Sequence, residues 1–341
     1  MAVRLISSRI VAAAALLLLS AQQEAQAWGA SGHRMISRMA IESLPAEMPA
    51  FLRNSRTADM MGELGREPDR SKGTGNSHDH DLDPGHYVNL SDDLVIGGIV
   101  PLDPLPLTRE DYDSALRSGG SNEYRAGFLP YAVIDGWQQL KKDFAYWRAD
   151  VAAARMAKSR KDRVWLAKDR LLRELVIIRD LGYWSHFVAD ASQPMHVSIH
   201  HDDWGDFPNP ESYTGKKGFH AAFEGDFVAA HVRPRDILVK LHPLRDCACS
   251  IQARTVDYLR QTQAQVIPTY ELEKSGAFAG DTAAGKDFVA DRLAAAVAEL
   301  RDMIIDAWRA SADASVGYPA VPLRDIESRK TYPLRQMQGL D

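Results

Sequence analysis

The chain has 341 residues, 45% of them hydrophobic, enough to bury one large core or two modest ones, and its composition is not that of a disordered, collagen-like or coiled-coil chain. With 41 Lys+Arg against 46 Asp+Glu the formal charge is -5, so net charge draws it toward no polyanion, and a phosphate-bearing substrate would have to be held locally. Two cysteines, Cys247 and Cys249, are too few for a disulfide scaffold, and with one residue between them a mutual bridge is not expected. Eleven histidines are the more suggestive number.

A charged start (Arg4, Arg9), an apolar run Ile10 to Leu19 and a small-residue end Ala25-Gln26-Ala27 have the layout of a cleaved secretory signal. The run is too short to span a bilayer, which needs about 20 residues. Cleavage after Ala27 would begin the mature chain at Trp28 and place it in the periplasm or the medium. From Ser31 to Leu44, Met35, Ile36, Met39, Ala40 and Leu44 recur at helical spacing, with Ser31 as N-cap and Pro45 as stop. Gly62 to Gly85 and Ser91 to Gly127 read as loops long enough to wall a site.

Long helical patterns run from Tyr131 to Trp147 and from Arg163 to Asp190, the second with Leu166, Leu171, Leu172, Leu175, Ile178, Leu181 and Trp184 toward a core. His201 to Gly218 is loop again. Helical patterns return at Phe219 to Val232, Ala248 to Ala264 and Asp287 to Ala310. No strand alternation or repeat stands out. The reading is one all-α domain over 28–317 with long site-forming loops, preceded by the signal 1–27 and followed by a loosely packed tail, 318–341.

The stretch His186 to His196 carries the chemistry. His186 and Asp190 are four apart and share one helical face, Pro194 turns the chain, and His196 can then face the same cavity. His220 and Glu224 repeat the four-residue spacing. Imidazole and carboxylate on one face is how helix bundles build internal metal sites. The cluster His78, Asp79, His80, Asp81 and Asp83 reads as a solvated loop, and His200 and His201 read as ordinary structural residues and not as ligands. No Gly-x-Ser-x-Gly elbow offers a nucleophile.

These motifs resemble the trinuclear zinc phosphodiesterases, the superfamily of the S1/P1 nucleases and the zinc-dependent phospholipases C. The family's mature chain begins with Trp, matched by Trp28, and the opening Trp28-Gly29-Ala30-Ser31-Gly32-His33 is close to the nuclease branch. Glu67-Pro68-Asp69-Arg70 and Gly85-His86-Tyr87 fit the next ligands, with Asp59 competing for the Asp69 position. His186, Asp190, Gln193-Pro194 and His196 match the core motif, with Ala189 where the family usually has Gly, and His220 with Glu224 matches the closing pair. The resemblance implies a mainly helical phospholipase C/P1 nuclease-like fold and three zinc ions. It implies Asp69, His86, His186 and Asp190 around one, Asp190 shared with a second on Trp28 and His33, and His196, His220 and Glu224 around the third. It assigns catalysis to Asp69 and Asp190, with a water held between the bridged pair attacking phosphorus.

Within that resemblance the expected activity is cleavage of single-stranded DNA or RNA, with Tyr87, Trp204, Phe207 and Tyr213 as aromatic platforms for bases. The alternative is a phospholipase C acting on phosphatidylcholine-like lipids. It is favoured by Gly218-Phe219-His220 with Glu224, where nucleases carry Asn-Leu-His and Asp, and by Ser198-Ile199-His200-His201 in place of Gly-Gly-Asn. A third reading is an exported zinc-binding protein without turnover. No obligate protein partner is implied.

Overall fold

The computed structural model describes residues 28–72, 75 and 77–339; the expected signal segment lies outside the described residues. Seven helices of ten residues or more carry the fold: α1 (Gly29–Glu42), α2 (Ser55–Leu64), α3 (Arg109–Ser118), α4 (Leu129–Ala154), α5 (Arg160–Asp190), α6 (Ile251–Gln263) and α7 (Ala283–Ala310). Most starts are written locally. The side-chain oxygens of Asn54, Thr108, Ser159, Ser250 and Thr282 each accept the backbone N–H three residues on, which satisfies an otherwise orphaned donor. Two antiparallel hairpins of two-residue strands, Val95–Ile96 with Val100–Pro101 and Ser315–Val316 with Val321–Pro322, are the strand content of the described residues. The molecule is thus mainly helical, as the periodicity required.

The helices α4 and α5 form a long hairpin, and α7 packs across α1 and α4. Close approach at the hairpin depends on Gly136, where an added Cβ would lie 2.0 Å from the Trp184 ring. The Trp184 indole N–H donates to the Val133 carbonyl at 2.9 Å. One core runs through the molecule, from Trp28 and Ile36 of the first segment through Phe144, Leu181 and Phe223 to Leu293 and Ile304 of α7. The site lies where the end of α5 meets the first turns of α1.

Several expectations are corrected here. The first helix starts at Gly29 with Trp28 as its N-cap in a left-handed conformation (φ 43°), not at Ser31. The stretch 62–85 holds short helical turns, Pro68–Ser71, Ser77–Leu82 and Asp83–His86, formed by tertiary packing that leaves no local signal. Leu171, Leu172 and Leu175 do not face the core but are 54–59% exposed. Leucine favours helices wherever it points, so its presence is a one-way guide to burial. The tail is not loose: Leu323 and Ile326 are fully buried against α4, and Leu334 packs on Ala153 and Leu166. Cys247 and Cys249 are bonded to each other, with Cα atoms 5.1 Å apart, inside the ordinary range. A tight turn that returns the Cys249 N–H to the Cys247 carbonyl at 2.5 Å brings them that close.

One buried group sets a pH dependence for the scaffold. Asp150 of α4 is 1% exposed, and neither carboxylate oxygen has a hydrogen-bond partner. Burial, reinforced by the charge of Asp169, pushes its carboxyl up to about 8. A folded-state pKa above the unfolded value means stability that is present below about pH 4 and is lost as pH rises through about 8. Asp150→Asn is expected to flatten that slope and to be more stable than the parent at pH 8 by at least the ~1.4 kcal/mol that one pKa unit is worth. Urea melts of both proteins at pH 5 and pH 8 check this; equal slopes would remove Asp150 as its source.

Candidate metal centre

Each candidate side chain is placed by a different device. The Trp28 ring is fully buried, and its indole N–H donates to the Ala189 carbonyl and the Ser192 hydroxyl, both at 2.9 Å. Its carbonyl accepts the Gly32 N–H at 3.0 Å and so begins α1, which puts His33 on the inner face in the next turn. Gly29 (φ 47°) lies against the turn opposite, where an added Cβ would meet Gly225 Cα at 3.1 Å and the Glu224 carbonyl at 3.3 Å. His186 and Asp190 close α5, and His196 follows on the Pro194–Val197 turn. His220 and Glu224 lie where α-helix passes into a π-helical stretch, Ala222–Phe227. Such wider turns recur at functional sites.

These elements bring eight of the nine candidate ligand residues together through their side chains. They fall into three groups that could hold a metal ion: His33, His186 and Asp190; Asp69, His86 and His186; and His196, His220 and Glu224. Within each group one ligand atom per residue lies within 4.8 Å of the others. Asp190 faces two groups at once. Its Oδ1 is 3.4 Å from His33 Nε2, while its Oδ2 is 3.1 Å from His86 Nδ1 and 3.3 Å from His186 Nε2. Trp28 is the ninth candidate, through its backbone; the amino group expected of it would arise on cleavage after Ala27, which lies outside the described residues. Asp59 is not among the converging groups: it is exposed and paired with Arg38.

Backbone carbonyls fix the histidines. His186 Nδ1 bonds the Gly65 carbonyl at 2.8 Å and His196 Nδ1 bonds the His86 carbonyl at 2.6 Å. A carbonyl only accepts, so in both rings Nδ1 carries the proton and Nε2 turns a lone pair inward. Gln193 donates to Glu224 Oε2 at 2.8 Å and accepts the Met195 N–H at 2.7 Å, which ties that carboxylate to the turn bearing His196. Such outer contacts orient metal ligands.

The charges are those of a site built for cations. Burial drives His33, His86, His186 and His196 below their ordinary range, so the imidazoles are neutral and able to ligate. Burial, then Asp69, pushes the Asp190 carboxyl well up. Burial also opposes ionised Glu224, but His220 and His196 outweigh it and hold the group at about 2. His33 Nδ1 and Nε2, Asp190 Oδ1, His196 Nε2 and Glu224 Oε1 are buried without any hydrogen-bond partner. Unpartnered buried polar atoms are costly. So many aimed at one another fit divalent cations.

A residue that sequence reasoning missed is Lys72. Its ammonium is 3.1 Å from Asp69 Oδ1, with the side chain 12% exposed, and the charges of Asp69 and Asp190 more than offset burial, so it stays protonated. A lysine in a Ser/Gly-rich stretch reads as solvated; the three-residue spacing from Asp69 was the available signal. Among the expected aromatic platforms, Trp204 (5% exposed) and Tyr213 (7%) are buried in a cluster with His200 and Tyr270, Tyr87 is half-buried, and Phe207 is 44% exposed. Of the acidic loop cluster, His80 stacks on Tyr124 with ring centres 4.1 Å apart; the side chains of His78 and Asp79 lie outside those described.

No family model matches the chain, and no curated protein matches it. Among solved structures it is similar to the alpha-toxin of Clostridium perfringens from an avian strain, at 14% identity and a TM-score of 0.39, covering 86% of this chain and 68% of that one. At that score the two share too little geometry for one to inform the other.

Metal removal should therefore expose the cost of these unpartnered atoms. Dialysis of the metal-loaded protein against a chelator is expected to lower Tm by at least about 5 °C, restored by Zn2+ and not by Mg2+, because nitrogen-rich ligands favour the former. Gln193→Leu is expected to release the Glu224 carboxylate and weaken metal affinity about 10- to 100-fold. Calorimetry and metal analysis read both outcomes; a chelator-insensitive Tm would count against a metal centre.

Proposed function

We propose that the chain is an exported zinc-dependent phosphodiester hydrolase of the S1/P1 nuclease kind, processed to begin at Trp28 and acting on single-stranded DNA or RNA. The observation that carries the reading is the convergence of eight buried imidazoles and carboxylates into three ligand groups, several of their atoms unpartnered. Asp69, His86, His186 and Asp190 would hold one ion, Asp190 with Trp28 and His33 a second, and His196, His220 and Glu224 the third. Zinc, when bound, supplies Lewis acidity toward a phosphoryl oxygen and lowers the pKa of water to about 7.

The remaining work falls to the chain. Gly65 and the His86 carbonyl keep the two imidazoles in the ligating tautomer. Asp190 presents its two oxygens to different groups, the posture of a shared carboxylate. Lys72 stands at the Asp69 carboxylate with protons to offer a phosphate oxygen, a fixed positive charge in a protein whose net charge is -5. Phe207 is exposed in the loop that follows His196 and is open to stacking with a base. Walls of helix exclude bulk water and strengthen every one of these charges.

A nucleic-acid substrate is favoured by the Trp28-Gly29 to Gly32-His33 opening. A phospholipid substrate is the second reading, favoured by Gly218-Phe219-His220 with Glu224. Assay of the processed, zinc-loaded protein on single-stranded DNA, RNA and phosphatidylcholine separates them. Hydrolysis of the nucleic acids is expected, turnover of lipid alone would replace the first reading by the second, and no turnover of any would leave a zinc-binding protein. Asp190→Asn is expected to abolish activity and drop zinc below three per chain. Lys72→Ala should keep the metal but lose about 10²- to 10³-fold in kcat, the usual effect of removing one transition-state donor. Full activity with full metal in Asp190→Asn would refute the shared-ligand role.

A further inference from the structure

The N-terminal half of α5 presents an unusual surface. Between Arg160 and Leu175 ten residues are exposed: five are basic, Arg160, Lys161, Arg163, Lys168 and Arg170, and five are apolar, Val164, Ala167, Leu171, Leu172 and Leu175. None of the ten exposed residues is acidic or neutral polar. The carboxylates of the segment are half-buried and engaged: Asp169 pairs with Arg173, Glu174 with the Trp147 indole N–H and with Arg170, the one of the five cations so paired, and Asp162 accepts from the Tyr332 hydroxyl. Arg160, Lys161 and Lys168 are in no ion pair among the described residues. On the opposite side Leu166 is covered by Ala153 and Leu334, so the tail shields one flank and leaves the other bare.

Leu171, Leu172 and Leu175 are more than half exposed and Val164 is 46% exposed. At 100° per residue Val164, Leu171 and Leu175 fall within about 40° of one another, with Lys161 and Lys168 beside them. They form a ridge on a convex helix, where long lysine stems can lie along the apolar strip with their charges outward. An exposed apolar strip marks a contact surface, and the charge decides what it contacts. A second copy would bring five cations against five. An anionic lipid surface offers acyl chains for the leucines and phosphates for the lysines and arginines, the arrangement of helices that lie in the plane of an interface. No described helix is long and apolar enough to cross a membrane, so the contact would be peripheral.

We propose that this face of α5 docks the protein on membranes rich in anionic phospholipid. The inference does not depend on which phosphodiester is hydrolysed. It does fix how the site is presented, because the same helix ends in His186 and Asp190, roughly 17 and 23 Å beyond Leu175 at 1.5 Å per residue.

Co-sedimentation of the processed, zinc-loaded protein with vesicles of phosphatidylcholine alone, or with one part phosphatidylglycerol to three, tests the proposal. Lipid phosphorus is counted in pellet and supernatant so that hydrolysis is scored apart from binding. The protein is expected to pellet with the anionic vesicles and not the neutral ones, and added salt should weaken the binding. Leu171→Gln with Leu175→Gln, and separately Lys161→Glu with Lys168→Glu, should each weaken it at least about tenfold while Tm and hydrolysis of a soluble phosphodiester stay at parent values. Four results would overturn it: no binding to anionic vesicles, binding by both variants equal to that of the parent, a mass doubling in solution abolished by the leucine changes, or retention by single-stranded DNA that the lysine changes alone remove.

Discussion

Everything in this structure turns on keeping a dry polar centre inside a helical core. Neutral imidazoles and carboxylates lie together with too few hydrogen bonds among themselves, and in water-excluded surroundings that arrangement is unfavourable by several kcal/mol. Two carboxylates as close as Asp69 and Asp190 repel one another, and burial raises Asp190 further. The fold tolerates this because the ligands come from separate rigid elements that are stabilised elsewhere. Away from the site, α4, the middle of α5 and α7 pack apolar residues such as Leu140, Phe144, Ile177, Leu181 and Leu300 that have no part in it, and their burial offsets the cost.

Geometry at the centre is set by backbone more than by side chains. The carbonyls of Gly65, His86 and Ala189 fix respectively the His186 ring, the His196 ring and the Trp28 indole. Carbonyls at the ends of helices or in turns are free to accept such bonds, since no fifth residue of the same helix claims them. The positions just beyond α2 and at the end of α5 therefore serve the site by ending where they do. The π-helical stretch acts similarly: its wider turn leaves His220 and Glu224 2.7 Å apart while Phe223 and Phe227 stay buried.

Five of the seven long helices and the ligand spacings were legible because both follow from periodicity, whereas α2 was not read and α3 lies in the stretch Ser91 to Gly127 read as loop. A four-residue repeat puts two side chains on one face whatever surrounds them, so His186 with Asp190 and His220 with Glu224 could be paired from spacing, while the one cap read, Ser31, gave way to Trp28. What could not be read depends on tertiary contact. Lys72 is largely shielded because the turn at Pro68 folds it over Asp69. Trp204 and Tyr213 are taken up by packing against Tyr270. The outward leucines of α5 differ from its inward ones by angle alone, and apolar residues are spread around α5 so that periodicity does not choose its face. The bond between Cys247 and Cys249 needed a turn that spacing does not announce.

The packing of α1 against α7 bears on when the centre can exist at all. His33 is held on a helix whose partner begins about 250 residues later, and the tail closes over α4 later still. Contacts so distant along the chain form only after loop-closure entropy has been overcome, which makes them late and slow events in folding. The ligand set is therefore completed only once the C-terminal helices have been made and docked. Metal acquisition becomes a property of the finished molecule, governed by the ion supply of the compartment in which folding ends.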